Sequence, residues 1–328
     1  MRVLVTGASG RIGGRTAEEL LARGHEVVGF DLAGPRVMHE RYRHVSAALQ
    51  DREAVGHAAE GVDAVLHLGA LMSWNDADAH AVFDTNVLGT FNVASTAATQ
   101  QVERFVFASS GEVYPETNPA YLPVDEAHPT NPRSHYGLSK LLGEETVHLF
   151  GRKAGLPFVI LRFSHTQDAT ELIDPDAFFA GPRFYLKRRI ARARQANDAA
   201  ALAALEPLDG DSEQHLLACS ADGKPYRMGI CDTRDLVRGI LLALEHPAAV
   251  GETIGIGPDE ATSFDRALTL IQGVTGLPVV EAKLPGPGVN YETSNEKARR
   301  LLGFEPEWTF ERMLEEAAAA RRPATATT

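Results

Sequence analysis

Over residues 1–163, short runs of β-branched and aromatic residues alternate with longer stretches whose apolar positions recur at helical spacing. The extended runs are Arg2–Thr6, Glu26–Phe30, Ala64–Leu68, Arg104–Ala108 and Phe158–Arg162. Between them Ile12–Ala22, Asp78–Gln100 and Ser134–Ala154 read as helices, with Gly24 and Gly155 where a helix should stop. Strand and helix taking turns in this way predicts βαβ units with right-handed crossovers, hence an α/β fold around a parallel sheet. The stretch Gly111–Pro132 breaks the rhythm. Pro115, Pro119, Pro123, Pro129 and Pro132 forbid a regular helix or a central strand, so it reads as a long structured loop beside a strand end.

From His165 the alternation loosens. A charged, alanine-rich helix is expected from about Arg183 to Leu205, followed by strands Gln214–Cys219 and Tyr226–Ile230 joined as a hairpin around Asp222-Gly223. A helix at Thr233–Glu245, a strand at Glu252–Ile256, and helices at Phe264–Thr275, Ser294–Leu302 and Phe310–Ala320 complete the pattern. Arg321–Thr328 has no apolar periodicity and reads as a frayed end. No internal repeat stands out.

Composition narrows the class. Of 328 residues, 44% are hydrophobic and 23% charged, the mix of a globular chain. Lys plus Arg is 32 and Asp plus Glu 44, a net charge of −12 without long runs of one sign, which argues against a nucleic-acid surface. No segment approaches the ~18 apolar residues needed to span a bilayer, so no membrane partner is expected and the chain reads as soluble and cytoplasmic. The two cysteines, Cys219 and Cys231, form neither a CxxC site nor a disulfide framework, which fits a reducing compartment. The 12 histidines form no HExxH or Cys/His cluster, and no metal is expected.

The chemistry starts at Thr6-Gly7-Ala8-Ser9-Gly10-Arg11-Ile12-Gly13, which ends the first strand and opens the first helix. In that context glycines allow a tight turn (Gly7), backbone approach to a pyrophosphate (Gly10) and close helix packing (Gly13), while the helix N-terminus favours the anion. The fold expected is therefore a Rossmann-type doubly wound parallel sheet with a smaller C-terminal α/β substrate lobe. The NAD-binding domain covers 1–163 with later segments returning to it, the lobe 164–321, and a disordered tail 322–328. Asp31 ends the second strand about 20 residues past the turn, where a carboxylate can accept from both adenosine ribose hydroxyls. It would repel a 2′-phosphate, favouring NAD over NADP, with Arg11 and Arg36 as nearby cations. Tyr136 and Lys140, at i and i+4, share one helix face, where a nearby ammonium and a cationic nicotinamide favour phenolate. Ser109 and Ser110 close the fourth strand and are expected to point to the crevice at its carboxyl end.

These residues closely resemble the extended branch of the short-chain dehydrogenase/reductase superfamily, the NAD-dependent epimerase/dehydratase group that includes UDP-galactose 4-epimerase. The likeness rests on TGASGRIG and YGLSK, on Val65–Ala70, Asn86–Asn92 and Ala108–Tyr114, and on the closing segment Tyr291–Pro306. It implies Tyr136 as acid/base, Lys140 as the ribose and pKa-tuning residue, and Ser110 as the substrate hydroxyl contact. Gly7, Ser9, Gly10, Arg11, Ile12, Gly13, Asp31, Leu49, Leu68, Gly69, Ala70, Asn86, Ser109, Tyr136 and Lys140 would hold NAD. It further implies a homodimer packed through the helices Asp78–Gln100 and Ser134–Ala154.

The chain departs from the group in three places. Ala48-Leu49 replaces an Asp-Leu pair, Arg162-Phe-Ser-His165 replaces Arg-Tyr-Phe-Asn, and Arg227 stands near the expected diphosphate-binding arginine. Glu112 is either the carboxylate that related dehydratases and decarboxylases use at C5 or a solvent-facing loop residue. His165 is either a substrate contact or a histidine closing the pocket. The leading expectation is transient oxidation and re-reduction of a carbohydrate or nucleotide sugar, a 4-epimerase. Net dehydrogenation of a free sugar, sugar acid or other secondary alcohol is the alternative, and a silent dinucleotide sensor the remote third.

Overall fold

The computed structural model describes residues 1–321; the expected disordered tail at 322–328 lies outside them. Six strands, β1 (Arg2–Thr6), β2 (Glu26–Asp31), β3 (Tyr42–Ser46), β4 (Ala64–His67), β5 (Arg104–Ser110) and β6 (Phe158–Phe163), are joined by the strand Thr253–Ile256 in one sheet. Across the sheet the order runs from Thr253–Ile256 through β6, β5, β4, β1 and β2 to β3, and every pairing is parallel. The strand order reverses between β1 and β4, and that switch point opens a crevice at their carboxyl ends.

Successive side chains of each strand bury on opposite faces, which is why the strand sequences are apolar throughout. Val3, Val5, Val106 and Leu161 pack with helix α1 (Arg11–Ala22) and with Leu236 and Ile240 of the helix Thr233–Glu245. Leu4, Phe105, Phe107 and Ile160 pack on the other side against α2 (Arg52–Ala58), α4 (Gly89–Gln100) and α5 (His135–Ala154). A separate core around Phe184, Tyr185, Leu216, Phe264 and Met313 belongs to the lobe, whose own sheets have two or three strands.

Four details differ from the sequence reading. β3 went unrecognised because an edge strand with a half-exposed, polar alternation carries little apolar signal. The expected helix Asp78–Gln100 contains α3 (Ala79–Phe83) and a π turn, Asp84–Leu88, before α4. The expected helix 183–205 breaks at Tyr185 and again at Asn197, whose φ is +52°. The turn at Asp222-Gly223 exists, with Gly223 at φ +84°, but its arms diverge after a single bridge: His215–Cys219 pairs with Val279–Lys283, and Arg227–Met228 with Thr262–Ser263 and Asn290–Tyr291. Buried apolar side chains on each arm find partners elsewhere in the lobe, and that outweighs the local hairpin.

Candidate active site

The crevice begins at the first glycine turn. Gly7 lies at φ +70°, and a Cβ there would stand 2.7 Å from Gly69 Cα, so the loops after β1 and β4 touch backbone to backbone. A Cβ on Gly13 would sit 2.1 Å from the Gly7 carbonyl oxygen, so α1 is seated directly on the turn. Gly10 caps α1 with no side-chain acceptor, leaving the first-turn N–H groups free to meet an anion. The crevice has a cavity volume of about 400 Å³ and is lined by Gly7, Gly10, Arg11, Ile12, Gly13, Asp31, Leu49, Leu68, Gly69, Ala70, Ser109, Tyr136 and Lys140 among others. Asp31 accepts the N–H of Ser9 and that of Ala33, each at 3.0 Å. Those two bonds orient its carboxylate and leave acceptor capacity for ribose hydroxyls. A glycine cradle, an uncapped helix and a terminal carboxylate in this order fit NAD.

Not every expected contact lies in that crevice. Asn86, on the π turn, instead clasps the loop after β4, accepting the Leu71 N–H at 2.8 Å and donating to the Leu71 carbonyl and to Ser139. Ser9 lies beside the crevice and serves Asp31 through its N–H. Arg11 is paired with Glu171 and so does not face Asp31 as a free cation, while Arg36 lies along Gly14 of α1. Gln50 and Thr85, which the sequence reading missed, line the crevice next to Leu49 and are bonded to each other at 3.0 Å.

Tyr136 and Lys140 stand on the first turns of α5, whose N-cap Ser134 accepts the Gly137 N–H at 2.9 Å and donates to Glu112 at 3.0 Å. A Cβ on Gly137 would lie 2.4 Å from the Glu112 carbonyl, so this helix start is locked against the turn that carries Glu112. Lys140 donates to the Ala108 carbonyl at 2.8 Å, and burial lowers its pKa to about 7, with Glu144 opposing. Burial pushes the Tyr136 phenol up, Glu112 adds to that, and only a hydrogen bond with Ser110 acts the other way. Lys140 Nζ lies 5.7 Å from the Tyr136 ring centroid and is turned to the β5 backbone.

Ser109 and Ser110 do not point the same way, because neighbours on a strand face opposite sides. Ser109 donates to the buried Glu144, which also takes two bonds from Arg162 at 2.9 and 2.7 Å. Ser110 faces a chamber of about 100 Å³ beside Tyr136. Glu112 lines this chamber rather than facing solvent. It accepts from the Trp74 indole at 3.1 Å, and burial, then Glu116, raise its pKa. Glu116 is opposed by burial but held below the usual carboxylate range by His165, at 2.7 Å, and by Arg183. Trp74 closes the outer side, its ring 5.5 Å from that of Tyr136 and 5.8 and 6.2 Å from Phe178 and Phe179. Arg227 is the predicted substrate contact that the fold carries away from the chamber. Its guanidinium pairs with Glu292 at 2.6 Å outside the chamber, because its short strand is bound into a lobe sheet. Trp74 and Glu116 were not foreseen; the only signal was their place just after the carboxyl ends of β4 and β5.

The model of the NAD dependent epimerase/dehydratase family matches residues 3–257. A solved short-chain dehydrogenase/reductase superfamily protein from Agrobacterium tumefaciens, with bound NAD, is 51% identical with a TM-score of 0.94, covering 98% of this chain and 97% of that one. The chain is similar to UDP-glucose 4-epimerase of Rhizobium meliloti, 27% identical over 96% of this chain and 95% of the relative. It is also similar to L-arabinose 1-dehydrogenase (NAD(P)(+)) of Haloferax volcanii, 34% identical over 52% of this chain and 69% of that protein. With a family model matched over most of its length and a crevice built to receive the dinucleotide, this chain belongs to the NAD-dependent epimerase/dehydratase family and is an NAD-dependent enzyme.

Proposed function

We propose that the enzyme oxidises a secondary hydroxyl of a compact carbohydrate and releases both the ketone or lactone and reduced cofactor. NAD supplies the hydride acceptor when bound against Gly7–Gly13, Asp31 and Lys140. Tyr136, as phenolate, takes the hydroxyl proton while the carbon-bound hydrogen leaves with its electron pair. Ser110, beside the phenol, holds the reacting oxygen in line, and Lys140 holds the nicotinamide ribose. Glu144 and Arg162 fix the end of β5 and so act as positioning residues.

The observation that carries the compact substrate is the Trp74 wall. A nucleotide sugar approaches the dinucleotide in size, yet the chamber has a cavity volume of about 100 Å³ against about 400 Å³ for the crevice. Arg227, the expected diphosphate contact, is engaged by Glu292. The second reading, a nucleotide-sugar 4-epimerase that reuses its cofactor, draws on the near full-length likeness to UDP-glucose 4-epimerase. The test is NADH formed per enzyme with matched panels of free sugars, sugar acids and nucleotide sugars. Many NADH per chain with a free sugar supports the first reading. Stereoisomer interconversion of a nucleotide sugar without NADH accumulation replaces it with the second.

We also propose a homodimer. Phe83, Leu88 and Phe91 on the α3–α4 run and Leu138 and Leu149 on α5 are exposed, and the Phe91 and Phe150 rings meet at 5.5 Å, tilted by 58°, across the two helices. One apolar face of this pair is left for a second copy.

A further inference from the structure

The polar groups of the chamber are unequally divided between acceptors and donors. Glu112 has both oxygens engaged once, by Trp74 and by Ser134, and Glu116 has one engaged by His165. A carboxylate offers about four acceptor sites, so these two side chains keep roughly five free. Donors are scarce by comparison. Ser164 gives its hydroxyl to the Gly229 carbonyl and Thr166 to the Ser164 carbonyl. Arg11 reaches the chamber with its guanidinium already on Glu171. The cations that balance the acids are not themselves part of the lining: Arg183 donates to Gln167 at 3.1 Å and reaches the lining His165 at 3.4 Å, and Arg192 lies 5.9 Å from the Trp74 ring.

We propose that Glu112 and Glu116 are the specificity determinants of this chamber and select an uncharged, hydroxyl-rich sugar over the sugar acid of the same carbon skeleton. The proposal rests on the reading of the chamber as a carbohydrate site and names the class it takes. A hydroxyl brings a donor to each free acceptor. A substrate carboxylate brings none, and would place a third negative group beside two buried ones, where the lining cation Arg11 is already paired with Glu171. A site built on hydrogen bonds to hydroxyls rejects a ligand that lacks the donor, because its own buried acceptors are then left unpaired.

The experiment uses the full chain saturated with NAD. Pairs of an aldohexose and the corresponding hexuronate are titrated, and binding is read from tryptophan emission, with Trp74→Phe to identify the Trp74 contribution. The NADH rate is followed in parallel. The neutral member is expected to bind about tenfold tighter or better. Glu116→Gln, and separately Glu112→Gln, should narrow that ratio to about threefold or less while NAD binding is retained. Near-UV circular dichroism shows that each variant is folded, and the second stands in for the first if one is not. Tighter binding of the uronate, or a ratio unmoved in both variants, overturns the proposal alone. If no sugar of either class binds while NAD does, the carbohydrate reading of the chamber falls and the proposal falls with it.

Discussion

The Tyr136 phenol lies between a group that favours its proton and one that favours its loss. Burial and the neighbouring Glu112 charge raise its pKa, while the bond with Ser110 lowers it. Oxidation needs the phenolate, so NADH formation should climb with pH through the alkaline range. Glu112→Gln removes a negative neighbour, makes the phenolate less costly, and should move that climb to lower pH. The pH profile of kcat/KM for NADH formation measures this, and an unmoved or alkaline-shifted profile contradicts it. At Gly13, a methyl group would press on the Gly7 carbonyl at 2.1 Å. Gly13→Ala should therefore weaken NAD binding and cost about 1–3 kcal/mol of stability, read by calorimetry and urea unfolding.

At the scale of elements, β5, β6 and α5 are tied together by one buried ion pair. Glu144 and Arg162 have side-chain exposures of 2% and 10%, and Ser109 and Tyr114 complete their hydrogen bonding. Removing one partner strands the other charge, so Glu144→Ala should cost about 3–5 kcal/mol of unfolding free energy. A cost below about 1 kcal/mol in urea unfolding would show that the pair does not hold these elements. Periodicity located five strands of the main sheet before Thr253–Ile256 because both of their faces are apolar. It missed β3, whose exposed edge has no such pattern. The π turn at Asn86 was invisible because one extra residue barely disturbs a helical stripe. The glycine turn, Asp31, Tyr136 and Lys140 were legible because their spacing is set locally by a strand, a turn and a helix. Trp74, Glu116 and the fate of Arg227 were not, because long-range contacts decide where loops and short lobe strands lie.

Across the whole molecule, the lobe meets the sheet domain at the mouth of the crevice. Arg11 and Arg15 of α1 reach Glu171 and Asp168, so the helix that opens on the glycine turn also grips the lobe. The crevice and the chamber thus lie between separately packed cores. On the opposite surface the exposed apolar face of α3–α5 predicts a particle of twice the chain mass in light scattering. Phe91→Glu with Leu149→Glu should halve it, and a monomeric parent protein would contradict the dimer. Whether Tyr136 moves the proton when NAD takes the hydride is read from wild type and Tyr136→Phe compared on an oxidised sugar. A fall in kcat of about 10²- to 10⁴-fold with NAD affinity unchanged is the predicted result. Turnover within about threefold of wild type, measured in the same assay, would contradict it.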